Sequence, residues 1–407
     1  MLIEDSAGAR IAALRKAQGM KQAGLATSSG YSLSMVTKVE SGHTPATPGF
    51  ISAAARALKV DIAQITGQPY APDSPTDAQM HEHVAVLRRE LSAYNLPPTH
   101  DRAPKSLDEL RAAVADLAQL RHGVNLLTLG EILPGLLQDL RMAAHTYQSR
   151  LQEQVYGLLA ETYAAAGQLA YKMGYIDLSS LTTDRYEWVA ERSGDPLAVH
   201  VGEYLRAGEL MVAGDCSSAA ALMDASLGRL EPHLATAQQQ ERPRVWSVWG
   251  NLHLKAALVA ARSGQPDAEL ATWQYYGHAE QAAQIVGVDR DDYRLYFGPT
   301  NVAIWGVSLA VELCDDAAAL NRADNVHLPE SAPRERSSHH WIDVSRAHAW
   351  RGDAQAALQC LYQARSISPQ HTRFHPQVRE TMQMIGRTER QAKGTVRGFA
   401  HWLGLRD

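Results

Sequence analysis

The sequence predicts an all-α protein with a small helical head and a long helical body. Helical spacing of apolar residues dominates, and no segment alternates apolar and polar residues as a half-buried strand does. Alanine is abundant in windows such as 112–118 and 160–170, which favours helix. Glycine and proline clusters divide the chain into segments of helical length. These three observations define the fold class.

Proline marks the expected domain boundaries. The first helical block ends at Thr66-Gly67. The linker that follows, from Gln68 to Pro75, contains three prolines, which prevent a continuous helix. One helix is expected over residues 77–94, before Pro97-Pro98. The predicted domains are a helical head, a Pro-rich linker with one helix, and a helical repeat body, at residues 1–67, 68–105 and 106–407.

Composition narrows the class of protein. With 407 residues, 45% hydrophobic and 20% charged, the chain belongs among globular rather than disordered proteins. No segment reaches the ~18 uncharged apolar residues of a membrane helix, and the acidic N-terminal residues are not a signal peptide. The three cysteines are far apart, which suits a reducing compartment. We therefore expect a cytoplasmic protein that does not act at a membrane.

Charge is distributed unevenly between head and body. The net charge of the chain is −5. Residues 1–66 carry seven basic and four acidic side chains, a net charge of +3, so the rest of the chain has a net charge of −8. A mildly basic head on an acidic body suits a protein that meets phosphate at one end only.

Turn and capping residues define three short helices within the head. The first ends at Gly19, and a short second helix begins near Lys21-Gln22 and breaks around residues 28–30. The third starts with Ser32 as N-cap and ends before Gly42. Two helices joined by a short glycine-containing turn are typical of a helix-turn-helix motif.

The third helix has two distinct faces. Val36 and Val39 share one face and are expected in the core. The opposite face presents short polar groups and one lysine, as a recognition helix for the major groove does. Its residues are Leu33, Ser34, Thr37 and Lys38.

Residues 8–67 resemble the XRE family, the lambda-repressor-like helix-turn-helix transcriptional regulators. The residues in register with the family pattern are Leu14, Arg15, Lys16, Gly19, Met20, Gln22, Leu25, Ala26, Gly30, Ser32, Val36, Glu40 and Gly42. The resemblance implies double-stranded DNA as partner and a bacterial regulator of transcription. It also implies that Gln22 lies near a phosphate or base edge, and that Arg15 and Glu40 form a partly buried ion pair.

Some residues depart from the family pattern. Lys21 stands where a Ser or Thr cap is usual, and Gly24 weakens the second helix by ~1 kcal/mol relative to alanine. The loop 42–48 has no arginine or lysine for the DNA backbone, so hydroxyls, amides, Lys21 or Lys38 must provide phosphate contacts. The predicted DNA-binding residues are Lys21, Gln22, Ser32, Leu33, Ser34, Thr37, Lys38 and Thr44.

The body contains an irregular repeat. Short turns with glycine recur at Gly194, Gly214, Gly264 and Gly352, and after three of them an Asp or Gln precedes an alanine-rich helix that it is expected to cap. The pattern resembles degenerate tetratricopeptide repeats, TPR-like helix pairs that stack into a superhelix. Head and body together look like the peptide-pheromone-sensing regulators of Gram-positive bacteria and similar actinobacterial regulators. That resemblance implies a homodimer, a palindromic operator and an effector that resets the spacing of the heads.

Aromatic residues are concentrated between positions 246 and 305. They fall on successive helices, with a few polar groups between them. Two interpretations stay open: packing between helices, or a pocket with apolar walls for a small-molecule or peptide effector. The candidate ligand-binding residues are Trp246, Trp249, Asn251, His253, Arg294, Tyr296, Thr300, Asn301 and Trp305.

No catalytic motif is recognisable, so we expect neither an enzyme nor a cofactor. His81-x-His83 and His339-His340 lack the nearby cysteines or paired carboxylates of a metal site and are interpreted as solvated helix residues. Three functional hypotheses remain. One is a ligand-responsive transcription factor, and the second is a DNA-binding regulator controlled by a protein partner that docks on the repeats. The third is a helical adaptor that does not bind DNA, or an unrecognised enzyme.

Overall fold

The computed structural model describes residues 6–97, 103–388 and 394–405. Within these ranges the chain forms α-helices and no named strand, apart from an isolated bridge between Arg290 and Phe297, so the predicted all-α class is confirmed. Two compact units result: Met1–Gln68 with Leu210–Arg290 and Phe297–Asp407, and Pro69–Glu209 with Asp291–Tyr296. None of the described helices has the length and apolar character needed to span a bilayer.

Five helices form the head, which belongs to the first unit. They are α1 (Ala7–Ala17), α2 (Gln22–Ser29), α3 (Leu33–Glu40), α4 (Pro48–Leu58) and α5 (Ile62–Thr66). Apolar side chains from each helix meet in one core, where Ile11, Leu25, Val36, Phe50 and Ile65 are completely buried. Burial of each such side chain stabilises the head by ~1.5–3 kcal/mol.

The rest of the first unit consists of helices that pack mainly on their neighbours in sequence. This part of the first unit begins at Leu210, within α11 (Pro196–Val212). The other helices are α12 (Cys216–Thr236), α13 (Arg242–Arg262), α14 (Ala268–Val286), α15 (Pro299–Glu312), α16 (Asp316–Ala323), α17 (Arg334–Trp350), α18 (Ala354–Ile367), α19 (Pro369–Phe374), α20 (Pro376–Thr388) and α21 (Gly394–Trp402).

The glycine turns between these helices follow the sequence pattern. Gly214, Gly264 and Gly352 all have positive φ angles. Both expected aspartate caps form: Asp215 accepts a hydrogen bond from the backbone N–H of Ser218 at 3.0 Å, and Asp353 accepts one from that of Ala356 at 2.9 Å. The expected cap by Gln265 is wrong, because α14 begins only at Ala268, after Asp267.

The second unit contains α6 (Pro75–Ser92), α7 (Leu107–Gly123), α8 (Leu126–Thr146), α9 (Ser149–Met173), α10 (Ile176–Ala190) and most of α11. The helix expected at 77–94 is α6. A capping box between Ser106 and Glu109 starts α7. The short 3-10 helix Asp292–Arg294 also lies in this unit. His81 is half-buried rather than solvated, and its Nδ1 lies 2.6 Å from the Tyr175 hydroxyl.

Candidate nucleic-acid interface and aromatic cluster

The helix-turn-helix motif is built as its capping residues predict. The Ser32 hydroxyl accepts a hydrogen bond from the Met35 amide at 3.1 Å and starts α3. Gly42, with φ of 74°, follows the end of α3. Val36 and Val39 are buried, 0% and 1% exposed. The apolar face of α3 is therefore fixed in the core, and its other face is turned to solvent.

The candidate DNA-binding residues divide by exposure. Six are exposed: Lys21, Ser32, Leu33, Ser34, Thr37 and Lys38. Leu33 is 50% exposed, so its side chain is available on the outer face of α3. Gln22 and Thr44 are half-buried. Lys21 is the N-cap residue of α2 and makes no side-chain cap bond, in keeping with its departure from the family pattern.

An internal ion pair ties α1 to the end of α3. Arg15 donates from Nε and Nη2 to the two carboxylate oxygens of Glu40, at 2.6 and 2.7 Å. The two side chains are only 9% and 5% exposed. Burial acts to raise the pKa of Glu40, but the hydrogen bonds from Arg15 and Gln22 outweigh it, so this pKa lies below its ordinary value. The predicted Arg15–Glu40 pair is confirmed.

Gln22 has internal partners. Its Nε2 donates to Glu40 at 2.9 Å, and its Oε1 accepts from the Thr37 hydroxyl at 3.3 Å. These bonds connect the start of α2 to the exposed face of α3. They hold the amide of Gln22 at the junction of the two helices, where it orients α3.

An arginine from the C-terminal region contacts the loop 42–48, which itself contains no arginine or lysine. The Arg387 guanidinium, on α20, donates to the carbonyl of Gly42, and a Cβ at Gly42 would collide with it. Thr44, Glu380 and Arg387 line the same cleft. Sequence analysis missed Arg387, because no local pattern signals a contact between residues 345 positions apart.

Further bonds hold α19 and α20 on the head. The amide of Gln377 donates to the carbonyl of Ala46 at 3.2 Å, and Glu380 accepts from the backbone N–H of Ala7 at 3.0 Å. Gln68 donates to the carbonyl of Phe374 at 3.2 Å. The head is therefore docked on the C-terminal helices through buried polar contacts.

A buried charge network lies at a second contact of the head. Glu312 on α15 accepts from Arg262 at 2.8 Å and from Arg346 at 3.2 Å, and Arg346 also donates to Asp343 at 3.0 Å. The side chains of Glu312, Arg346 and Asp343 are 5% exposed or less. Burial acts to raise the pKa of Glu312, but Arg262 and Arg346 more than offset it and lower this pKa. The stem of Arg262 packs beside Gly49 of the head.

The candidate ligand residues on α13 form an aromatic cluster with α14. Its members are Trp246, Trp249, His253, Tyr275 and His278. Ring centroids are 5.3 Å apart for Trp246 and Trp249, and 4.0 Å apart for Trp249 and His253. His278 is exposed, so the cluster reaches the surface on one side.

Three buried polar atoms within the cluster have no hydrogen-bond partner in the described part of the chain: Trp246 Nε1 and both ring nitrogens of His253. Two other candidate ligand residues, Asn251 on α13 and Trp305 on α15, also have such an atom, Nδ2 and Nε1 respectively. Leaving such atoms unpaired costs ~1–3 kcal/mol each. Burial and neighbouring His278 lower the pKa of His253 to about 3, so its imidazole is neutral at physiological pH.

Three other candidate ligand residues lie on α15, which packs on both α13 and α14. Asn301 is fully buried in the first turn of α15, and Trp305 on the same helix packs under Arg336, whose guanidinium carbon is 6.0 Å from the ring centroid. The backbone N–H of Thr300 donates to the Asp289 carboxylate at 3.0 Å, so a protein group already occupies part of the N-terminus of α15.

Arg294 and Tyr296 belong to the second unit. The Arg294 guanidinium donates to Glu161 at 2.8 Å and to Asp291 at 3.0 Å. Two carboxylates thus already balance its charge. Tyr296 is buried, 8% exposed, and has a positive φ angle of 52°.

Comparison with known proteins identifies the head. Residues 11–65 match the helix-turn-helix family model. No curated protein and no solved structure matches the chain. The match confirms the predicted XRE-type head and supports a DNA-binding transcriptional regulator. The TPR-like assignment of the body stays a prediction.

Proposed function

We propose that the chain is a sequence-specific transcriptional regulator that binds a palindromic operator as a homodimer and responds to a small-molecule or peptide effector. The observation that carries the proposal is the exposed face of α3, held on a capped helix-turn-helix by the buried valines and the Arg15–Glu40 pair. No enzymatic activity is part of the proposal.

In this proposal α3 enters the major groove. Leu33, 50% exposed, offers an apolar surface for a thymine methyl group, and Lys38 a donor for guanine. Ser34 lies on the same exposed face and can donate or accept. Phosphate contacts come from Lys21, hydroxyls and backbone amides, with Arg387 beside the Gly42 loop. Because one head has few basic residues, two linked heads are needed for tight binding.

Removing one base contact is expected to weaken operator binding. A base contact is worth ~1–3 kcal/mol, so Lys38→Gln should raise the Kd for the operator about 5- to 150-fold, and Ser34→Ala should change base preference at one position. The operator is first selected from random duplexes with the full chain, and should be a palindrome with half-sites about 34 Å apart. Gel shifts then compare the variants.

Lys59→Gln is the matched control, because it removes the same charge from an exposed head residue at the end of α4. It should keep the base preference. If Lys38→Gln and Ser34→Ala bind the selected duplex as tightly and selectively as the parent chain, α3 is not the recognition helix.

The aromatic cluster is the proposed effector site. Its support is that Trp246 Nε1 and both ring nitrogens of His253 are buried without a partner among the described residues, in a cluster that also contains the exposed His278. A ligand amide or carbonyl would satisfy these atoms, and apolar parts would pack on Trp246 and Trp249. A coupling of ~1–3 kcal/mol between effector and DNA would change operator occupancy 5- to 150-fold.

Replacing His253 with phenylalanine separates a ligand site from plain packing. Phenylalanine removes two unpaired ring nitrogens, so the melting temperature should stay the same or rise, while the reporter response to an inducing culture extract should be lost. Reporter output and thermal unfolding are measured together. Trp273→Phe, which alters a ring packed under Arg322 at 4.2 Å, is the control and should keep the response. If His253→Phe responds to the extract as the parent chain does, the cluster serves only in packing between helices.

A further inference from the structure

Three histidines converge beside the C-terminal helices that hold the head. They are His339 on α17, His371 on α19 and His375 directly after α19. One ring nitrogen of each lies within 4.8 Å of those of the other two. Their ring centroids are 5.2 to 5.9 Å apart. The interpretation of His339 as a solvated helix residue fails for this reason: its ring is 31% exposed and meets two others.

Neighbouring polar groups orient two of these rings. The buried Ser338 hydroxyl lies 2.7 Å from Nδ1 of His371. Because Nδ1 is engaged in this hydrogen bond, Nε2 is the ring nitrogen that would bind a metal ion. Asp343, 1% exposed, lies 3.4 Å from Nε2 of His339 and accepts from the Ser308 hydroxyl at 2.6 Å. Metal-binding histidines in proteins are oriented by a hydrogen bond from the ring nitrogen that does not bind the metal, commonly to an oxygen of a carboxylate, a carbonyl or water.

The donor set selects the kind of ion. A donor group of three imidazoles suits zinc and similar divalent transition metals, rather than calcium or magnesium. Zinc bound by three histidines takes water as its fourth ligand, with Zn–N distances of about 2.0–2.1 Å. Tetrahedral coordination places the ligand nitrogens ~3.4 Å apart, so binding requires the partly exposed His339 and His375 rings to rotate toward the ion.

We propose that His339, His371 and His375 form a binding site for a zinc-class divalent ion, and that the ion fixes α19 and α20 against the head. His375 joins the two helices, and its neighbours in sequence are the head-binding residues: Phe374 accepts from Gln68, and Gln377 donates to Ala46. An ion bridging His375 to α17 restrains this joint. The regulatory part rests on the proposed function, whereas the metal site does not.

Cobalt titration of the full chain, after treatment with a chelator, tests the site without DNA. We expect one Co²⁺ per chain, with the strong visible absorption of tetrahedral cobalt, and displacement by Zn²⁺ but not by Mg²⁺. His371→Gln and His375→Gln should each weaken Co²⁺ binding at least 100-fold. His348→Gln, on the same helix as His339 and outside the cluster, is the matched control and should bind as the parent does.

His371 is buried, so its replacement can also disturb folding. Ser338→Ala avoids this difficulty because it keeps all three histidines. It should weaken Co²⁺ binding about 10- to 100-fold while far-ultraviolet circular dichroism stays unchanged. Absence of saturable Co²⁺ binding in the parent chain, or equal binding in parent and His375→Gln, would overturn the site.

Hydrogen exchange reports the effect on the head. Zn²⁺ should slow exchange in α20 and in the loop 42–48 of the parent chain, and not in His375→Gln. Unchanged exchange in zinc-loaded parent would refute the restraint on the head. Failure to bind any DNA, with the cobalt result intact, would instead refute the proposed function and leave the metal site standing.

Discussion

Replacing Glu40 with alanine should lower the free energy of unfolding of the head by about 3–5 kcal/mol, the usual cost of leaving a buried charge without its partner. Arg15 would keep its bond to the Met20 carbonyl at 2.7 Å but lose both carboxylate contacts in a site where it is only 9% exposed. Gln22 would lose its acceptor as well. Hydrogen exchange of α1–α3 peptides in the full chain measures the effect.

Two variants show whether the loss comes from the buried pair. Arg15→Ala with Glu40→Ala removes both charges and should recover part of the stability. Glu82→Ala, at an exposed position on α6, should change stability by less than ~0.5 kcal/mol. Equal exchange rates in Glu40→Ala and in the parent chain would mean that the ion pair contributes nothing to the head.

The same pair predicts a pH dependence. The pKa of Glu40 is lower in the folded chain, so its contribution to stability is complete above the ordinary glutamate pKa of about 4.3 and is lost as the pH falls through the folded value. Glu40→Gln should flatten this part of the stability curve.

Glu312→Ala should cost a similar ~3–5 kcal/mol in the C-terminal part of the first unit. The change leaves Arg262 and Arg346 without the carboxylate they share, and Arg346 is 3% exposed. Thermal unfolding followed by circular dichroism, together with exchange in α13, α15 and α17, measures the loss. Arg262 also packs beside Gly49, so exchange in α4 of the head should rise too.

The matched control is an exposed ion pair between neighbouring helices. Asp316 lies 2.7 Å from Arg351, with side chains 36% and 49% exposed. Asp316→Ala should therefore cost less than ~1 kcal/mol, because water already screens this pair. Similar losses in Glu312→Ala and Asp316→Ala would contradict the importance of burial in the network.

Local chemistry made the head predictable from sequence. The N-cap Ser32, the helix-ending Gly42 and the two valines on one face each depend on interactions within a few residues of the chain. The structure contains all three features. The Arg15–Glu40 pair needed the family resemblance, since no spacing rule connects positions 25 residues apart. The cap expected from Gln265 was wrong because Asp267, two residues later, lies directly before α14.

Sites assembled from distant segments could not be predicted in this way. His371 and His375 lie more than 30 positions after His339, and only the packing of α19 on α17 brings them to it. Arg387 reaches Gly42 across 345 positions. Asn301 and Trp305 were grouped with Trp249 because they fall on successive helices; the ring contacts of the cluster join α13 and α14. Tertiary packing, rather than periodicity, decides such neighbours.

The bond between Gln68 and Phe374 has a consequence for synthesis of the protein. The two residues are 306 positions apart, so at ~5–20 residues per second the ribosome needs roughly 15–60 s after completing the head to make its docking surface. During that interval the nascent head has its own apolar core but neither α19 nor α20 beside its Gly42 loop. Each newly made molecule therefore passes through a period in which the Gly42 loop, directly after α3, is not yet contacted by the C-terminal helices.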